Sequence, residues 1–174
     1  MNILAIDQSV SDSGVAIYKS EFPDRMDFTN IRPGKRRGPE RLAWIRDQLV
    51  GLIKVNEIDV LIKEEYAYGA RGAVFDMGEV GGLIKIVCVD TGVHLIEMPI
   101  GSHKKFTTGN GNAKKSLILK SVYKNYGIDL TNENTADAVS MLKTYLGFMD
   151  WKAGGTFPQV QTAALKKFND SLGG

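Results

Sequence analysis

The sequence predicts an α/β domain, or α+β by a stricter rule, in which helices pack against a mixed sheet. Three observations predict it: two short apolar runs joined by a polar turn at the N-terminus, a later strand-helix-strand alternation, and helical segments towards the C-terminus. With 174 residues there is room for one full-sized domain, assigned to residues 1–150, followed by a 151–174 tail that could form a short helix. Apolar residues make up 43% and charged residues 24%, which excludes disordered, collagen-like and disulfide-stapled classes.

Asn2 to Ile6 is apolar and stops at Asp7, and Gly14 to Tyr18 resumes after the polar stretch Gln8-Ser9-Val10-Ser11-Asp12-Ser13. These are two strands, and Met26 to Ile31 adds a third after the Glu21-Phe22-Pro23-Asp24 turn, completing an antiparallel meander. Pro33-Gly34-Lys35-Arg36-Arg37-Gly38-Pro39 is a basic loop. Leu42, Ile45, Leu49, Leu52 and Ile53 then recur at helical spacing, predicting a helix over about 39–55. The run Asp59-Val60-Leu61-Ile62-Lys63-Glu64 is a fourth strand that ends on carboxylates. A long helix over 73–91 carries Val74, Met77, Val80, Leu83, Ile84 and Val87. Gly78, Gly81 and Gly82 lie inside it, each costing about 1 kcal/mol relative to Ala, and close backbone approach is the expected compensation. Val93 to Met98 is a fifth strand, Pro99 opens a loop reaching about Gly111, and helices are expected over 113–126, stopped by Gly127, and over 134–146.

Lys and Arg total 22 against 20 Asp and Glu, so net charge alone identifies no polyanionic partner. Cys88 is the lone cysteine and sits in an apolar run, as a small buried hydrophobe in a reducing compartment would. The N-terminus meets an acid at position 7 and no apolar run nears the ~20 residues of a membrane span, so a cytoplasmic protein without membrane contact is expected.

Asp7 and Glu64 each end an apolar strand, and neighbouring strands would bring both to one sheet edge. Asp137 lies about a turn into a helix, with Asn134 three residues earlier on the same face. Oxygen ligands from separated segments suit hard divalent cations, and two-metal phosphodiester cleavage uses such a set. His103-Lys104-Lys105-Phe106 and Ala113-Lys114-Lys115 gather lysines on a glycine-flexed segment, a pattern suited to gripping phosphates without reading sequence. Tyr66 and Tyr68 leave the fourth strand where an aromatic ring could either stack on unpaired bases or cover the edge of the core. His103 is expected at the surface, His94 packed within its strand, and Lys63 snorkelling from a peripheral strand.

Five blocks in order, NILAIDQSVSDSGVAI, IKEEYAYG, GEVGGLIK, PIGSHKKFTTGNGNAKK and NENTADAVSML, resemble the RuvC-like Holliday junction resolvases of the RNase H-like superfamily, especially the phage branch, over about residues 1–147. The resemblance implies a five-stranded RNase H-like sheet with helices on both faces. It implies Asp7, Glu64 and Asp137 as the catalytic and metal-binding acids, with Glu64 preferred to Glu65 because it stands two residues before Tyr66. Asn134 joins the metal set where many relatives carry an acid. Lys104 and Lys115 fall on basic residues of the family's active-site rim, with Lys105 and Lys114 beside them. It further implies Mg²⁺, with Mn²⁺ able to substitute, no small-molecule cofactor, branched DNA as substrate and a homodimer formed through the glycine-bearing helix, although a tight intrachain contact would need the same glycines. The expected activity is a structure-selective endonuclease for four-way and other branched junctions. Another RNase H-like nuclease, acting on RNA:DNA hybrids or RNA, and a non-catalytic DNA-binding module are the alternatives. An actin-like ATPase half would need a second lobe for which the chain is too short.

Overall fold

Each apolar run becomes a strand of one sheet: β1 (Asn2–Asp7), β2 (Ser13–Lys19), β3 (Met26–Ile31), β4 (Val60–Glu64) and β5 (His94–Met98), in the order β3-β2-β1-β4-β5. The fold is a computed structural model that describes residues 1–66 and 74–173; Tyr68 lies outside the described residues. β1, β2 and β3 form the antiparallel meander, while β4 and β5 run parallel to β1. Ile6 pairs with Lys63, so Asp7 and Glu64 are the next residues on parallel neighbours and leave the sheet at the same edge.

Side chains alternate between the two faces of a strand, which sorts the core. Leu4, Ile6, Val15, Ile17 and Leu61 meet helices α1 (Gly38–Val55) and α2 (Val74–Thr91) through Ile45, Leu49, Ile53, Val80, Ile84 and Val87. Ile3, Ala5, Ala16, Val60 and Ile62 face the opposite layer, built from α3 (Ser102–Thr108), α4 (Lys115–Tyr126), α5 (Glu133–Lys152) and α6 (Gln159–Ser171). Asp7 and Glu64 share the parity of that second face. Within residues 151–174, α6 buries Ala164, Leu165 and Phe168 in the same core, with Phe168 edge-on to Phe148 at 4.8 Å between ring centroids.

Three expectations are corrected here. The segment read as a loop from Pro99 to Gly111 contains α3, bracketed by Gly101 and Gly109 at φ +77° and +83°. Lys63 belongs to an interior strand and is 0% exposed: its Nζ donates to Glu97 Oε1 at 2.8 Å and to the Glu64 carbonyl at 2.8 Å. His94, expected to pack, is exposed at the start of β5. Cys88 is buried as expected, and burial pushes its thiol up to about 11. No helix among the described residues is long and apolar enough to cross a membrane.

One glycine positions the site directly. Gly14 pairs with Asp7 across β1 and β2, and a Cβ there would collide with the backbone of Asn134 and Thr135. Glycine thus lets the first turn of α5 rest on the sheet beside Asp7.

Candidate active site

Asp7 comes from the end of β1, Asn134 and Asp137 from the first turns of α5, and Lys115 from the start of α4. Asn132 caps α5, its side-chain oxygen accepting from Thr135 N–H at 2.9 Å, so Asn134 is released from capping. Asn134 Nδ2 donates to the Asp12 carbonyl at 2.6 Å, which turns its Oδ1 towards Lys115 Nζ, also at 2.6 Å. Asp12 anchors the polar turn after β1: its carboxylate accepts from Asn30, Arg32 and Asn132, and these partners outweigh desolvation to hold it below its ordinary value.

The Lys115 ammonium lies 2.9 Å from Asp7 Oδ2 and 3.0 Å from Asp137 Oδ2. One positive charge therefore serves two carboxylates. Burial works to lower the lysine, yet the two acids hold it above its ordinary value. Asp7 fares oppositely: desolvation pushes it up to about 6, Asp137 and Glu64 add to the rise, and Lys115 offsets only part. The two shifts agree because burial penalises the charge on both groups, and the lysine has two acids to offset it while Asp7 shares one lysine with a second acid. Asp137 Oδ1 is buried and has no hydrogen-bond partner among the described residues.

Glu64 stands at the end of β4 beside this cluster. Its Oε1 is 3.2 Å from His103 Nε2 and 3.4 Å from the Gly101 N–H. Desolvation would raise this carboxyl, but the hydrogen bond and attraction from His103, the nearby Lys104 and the Gly101 N–H hold it below its ordinary value. His103, expected at the surface, is 1% exposed, because the helix formed in place of the loop turns it inward. Sequence reasoning missed it, and its one available signal was a histidine at the head of a Gly-bounded segment.

The remaining basic and aromatic positions divide. Lys114 is exposed and Lys104 and Lys105 are partly so, whereas Lys115 is drawn in among the acids. Tyr66 packs on α2 with Lys63 and Lys85 Nζ at 4.6 and 5.3 Å from its ring centroid. Its hydroxyl lies against Gly81, where any Cβ would collide with it, so this glycine serves an intrachain contact.

Among the described residues, no three acidic, histidine or cysteine side chains converge closely enough as they stand to hold a metal ion. The donor set nevertheless fits one. It offers hard oxygens, an unpartnered buried carboxylate oxygen and an under-neutralised acid pair that already attracts an ammonium. Asp7, Asp137, Glu64 and the Asn134 carbonyl oxygen are the groups that would hold it.

No family model matches the chain. A crossover junction endodeoxyribonuclease RuvC from Chloroherpeton thalassium is 31% identical over 133 residues, covering 74% of this chain and 72% of the relative. The Thermus thermophilus RuvC structure superimposes with a TM-score of 0.70 at 16% identity, covering 87% of this chain and 97% of that one. T. thermophilus RuvC in complex with Holliday junction substrate gives 0.67 at 16% identity, covering 81% and 90%. Sequence likeness over more than two thirds of both chains, on an arrangement that gathers Asp7, Asp137 and Glu64 at one sheet edge, establishes that this chain belongs to the RuvC family of crossover junction endodeoxyribonucleases.

Proposed function

We propose that this chain is a metal-dependent endonuclease that resolves four-way DNA junctions, with Asp7, Glu64 and Asp137 as its catalytic acids. The observation that carries the reading is the Asp7-Asp137 pair, formed where the end of β1 meets the first turns of α5, sharing one Lys115 ammonium beside Glu64 at the end of β4. Mg²⁺, with Mn²⁺ as a substitute, is the ion this oxygen set suits; bound there, it would supply an activated water and stabilise the leaving oxygen. With an ion bound to Asp7 and Asp137, the Lys115 ammonium that now pairs with them would be free for a phosphate. Lys104, Lys105 and Lys114 grip the backbone without reading bases.

A homodimer through α2 completes the reading. Phe75, Ile86 and Val89 are 91%, 60% and 82% exposed. At helical spacing they share one face with Gly78 and Gly82, where an added Cβ would meet nothing within 4 Å among the described residues. A second copy laid on this stripe would cover it and set two sites against a two-fold substrate. Val89→Glu should then give a folded monomer in sedimentation, with a melting temperature that no longer depends on protein concentration; a dimer that survives it would move the interface elsewhere.

The deciding experiment incubates the protein with a labelled four-way junction, a linear duplex and an RNA:DNA hybrid, with and without Mg²⁺. The expected result is metal-dependent cutting of the junction alone, abolished in Asp7→Asn, Glu64→Gln and Asp137→Asn while junction binding persists. Equal cutting of the hybrid would favour a different RNase H-like substrate, and a variant that still cuts would remove its residue from the site.

A further inference from the structure

Behind Glu64 runs a buried polar chain that connects three elements. His103 of α3 is 1% exposed, Thr107 one turn later is 4% exposed, and Ser140 of α5 is 0% exposed. His103 Nε2 faces Glu64 Oε1 at 3.2 Å, and its Nδ1 lies 3.0 Å from Ser140 Oγ. Ser140 Oγ is also 2.8 Å from Thr107 Oγ1 and 3.1 Å from the His103 carbonyl, to which it can donate. A carboxylate accepts only, so Nε2 must carry a proton. If Nδ1 also carries one, it donates to Ser140 Oγ, and the serine hydrogen goes to the His103 carbonyl. If Nδ1 is bare, the serine hydrogen goes to the ring instead. Either way the ring has a fixed partner on each side.

We propose that His103 is a positioning residue for Glu64, held by Ser140 and Thr107, and that it fixes the carboxylate rotamer in which Oε1 is occupied and Oε2 is kept for a cation. Among the described residues, both hydrogen bonds to the Glu64 carboxylate, from His103 and from the Gly101 N–H, fall on Oε1. A carboxylate with one oxygen pinned has lost rotamer freedom before any ion arrives, so binding does not have to supply that ordering. The alternative role, a histidine that merely satisfies a core, would need its ring nitrogens paired but would not need the partner to be an acid of the site. The same chain ties α3, which carries Lys104 and Lys105, to the strand that carries Glu64. The basic segment and the acid are therefore positioned by one network.

The test compares His103→Leu, which deletes the donor, with His103→Gln, whose side-chain amide can return an N–H to Glu64. Mn²⁺ binding is measured by calorimetry on the DNA-free protein, thermal unfolding on the metal-free protein, and kcat and KM on a four-way junction. His103→Leu should weaken Mn²⁺ affinity by about 10- to 100-fold and lower kcat with KM for the junction unchanged, and His103→Gln should recover most of both losses. Wild-type affinity and kcat in His103→Leu would overturn the proposal. So would a Gln variant as impaired as the Leu variant with the same fall in melting temperature, since that is the pattern of a core residue. If His103→Leu does not fold, Ser140→Ala keeps the ring but removes its Nδ1 partner. A measurable loss of Mn²⁺ affinity there supports the proposal, and unchanged affinity refutes it. The kcat arm rests on the nuclease reading and the calorimetric arm does not. A wild type that binds Mn²⁺ through Glu64 yet cuts no junction would sink the nuclease reading and leave the positioning role standing.

Discussion

Asp7→Asn, made in the metal-free protein, should stabilise the fold at neutral pH. The wild-type carboxyl is pushed from its ordinary 3.8 up to about 6, with burial as the largest cause, Asp137 and Glu64 adding to it, and Lys115 offsetting part. The folded chain therefore binds this proton more tightly than the unfolded chain does. Protonation of Asp7 contributes stability that is fully present below 3.8 and is lost as pH rises through about 6. At ~1.4 kcal/mol per pKa unit, the rise from 3.8 to about 6 corresponds to roughly 3 kcal/mol of stability forfeited at neutral pH. The side chain is only 16% exposed, so solvent screening removes little of it. Asparagine imitates the neutral carboxyl and keeps Lys115 paired with Asp137. The expected gain is about 6 to 12 °C in melting temperature for a chain of this size. Thermal unfolding in chelator across the pH range is the assay. The advantage should be largest at neutral pH, shrink as pH falls through about 6 and vanish below 3.8. An asparagine variant that melts at or below wild type at neutral pH, or whose advantage ignores acid, would refute the claim that the acid pair is under-neutralised.

Asn134→Asp adds a charge where Oδ1 already faces the Lys115 ammonium, so it should lower the Mg²⁺ concentration for half-maximal cutting; superimposable titrations would remove Asn134 from the metal shell. Lys105→Ala and Lys114→Ala should each flatten the salt dependence of junction binding by about 0.9 in the log-log slope, whereas Lys115→Ala, measured without metal, should leave it nearly unchanged because its charge is spent on Asp7 and Asp137. Equal slopes for all three variants would place Lys115 on the DNA even in the metal-free state. Gly14→Ala should cost about 3 kcal/mol or more and abolish cutting, since the added Cβ meets the backbone of Asn134 and Thr135 rather than a yielding side chain; a wild-type melting curve would show that α5 can shift without loss.

The strands and long helices were legible because their signals are periodic. A run such as Asn2 to Asp7 can bury alternate residues on two faces only as an interior strand, and its terminal acid marks the edge of the sheet. The convergence of Asp7 and Glu64 followed from the same pattern once β1 and β4 were neighbours. What stayed hidden was short or set by long-range contact. The seven residues of α3 are too few for a periodic apolar face, so flanking glycines and lysines read as loop. His103 and Lys63 are polar residues whose burial depends on partners 39 and 34 positions away, Glu64 and Glu97, which local pattern cannot pair. The α2 glycines divided for a similar reason: Gly81 makes room for Tyr66, while Gly78 and Gly82 have no described neighbour within 4 Å, and local pattern could not tell an intrachain contact from one between copies at any of the three.

Strand parity turns these two buried polar residues into a single device. Lys63 and Glu64 are adjacent and point to opposite faces of β4, so the strand end that delivers Glu64 is held from both sides. On the α2 face, Lys63 Nζ donates to the Glu64 carbonyl and to Glu97, and Glu97 in turn accepts from Lys85 of α2 at 2.8 Å. On the other face, His103 and Gly101 hold the side chain of the same residue. A fully buried ammonium is costly to desolvate, and a methionine of similar length would fill the space at lower cost. What methionine could not supply is the bond to the Glu64 carbonyl, which fixes the backbone from which the carboxylate projects. The expense of Lys63 is therefore explained by the acid next to it, and the ionic link through Glu97 to Lys85 joins that acid to the helix that carries the exposed apolar stripe.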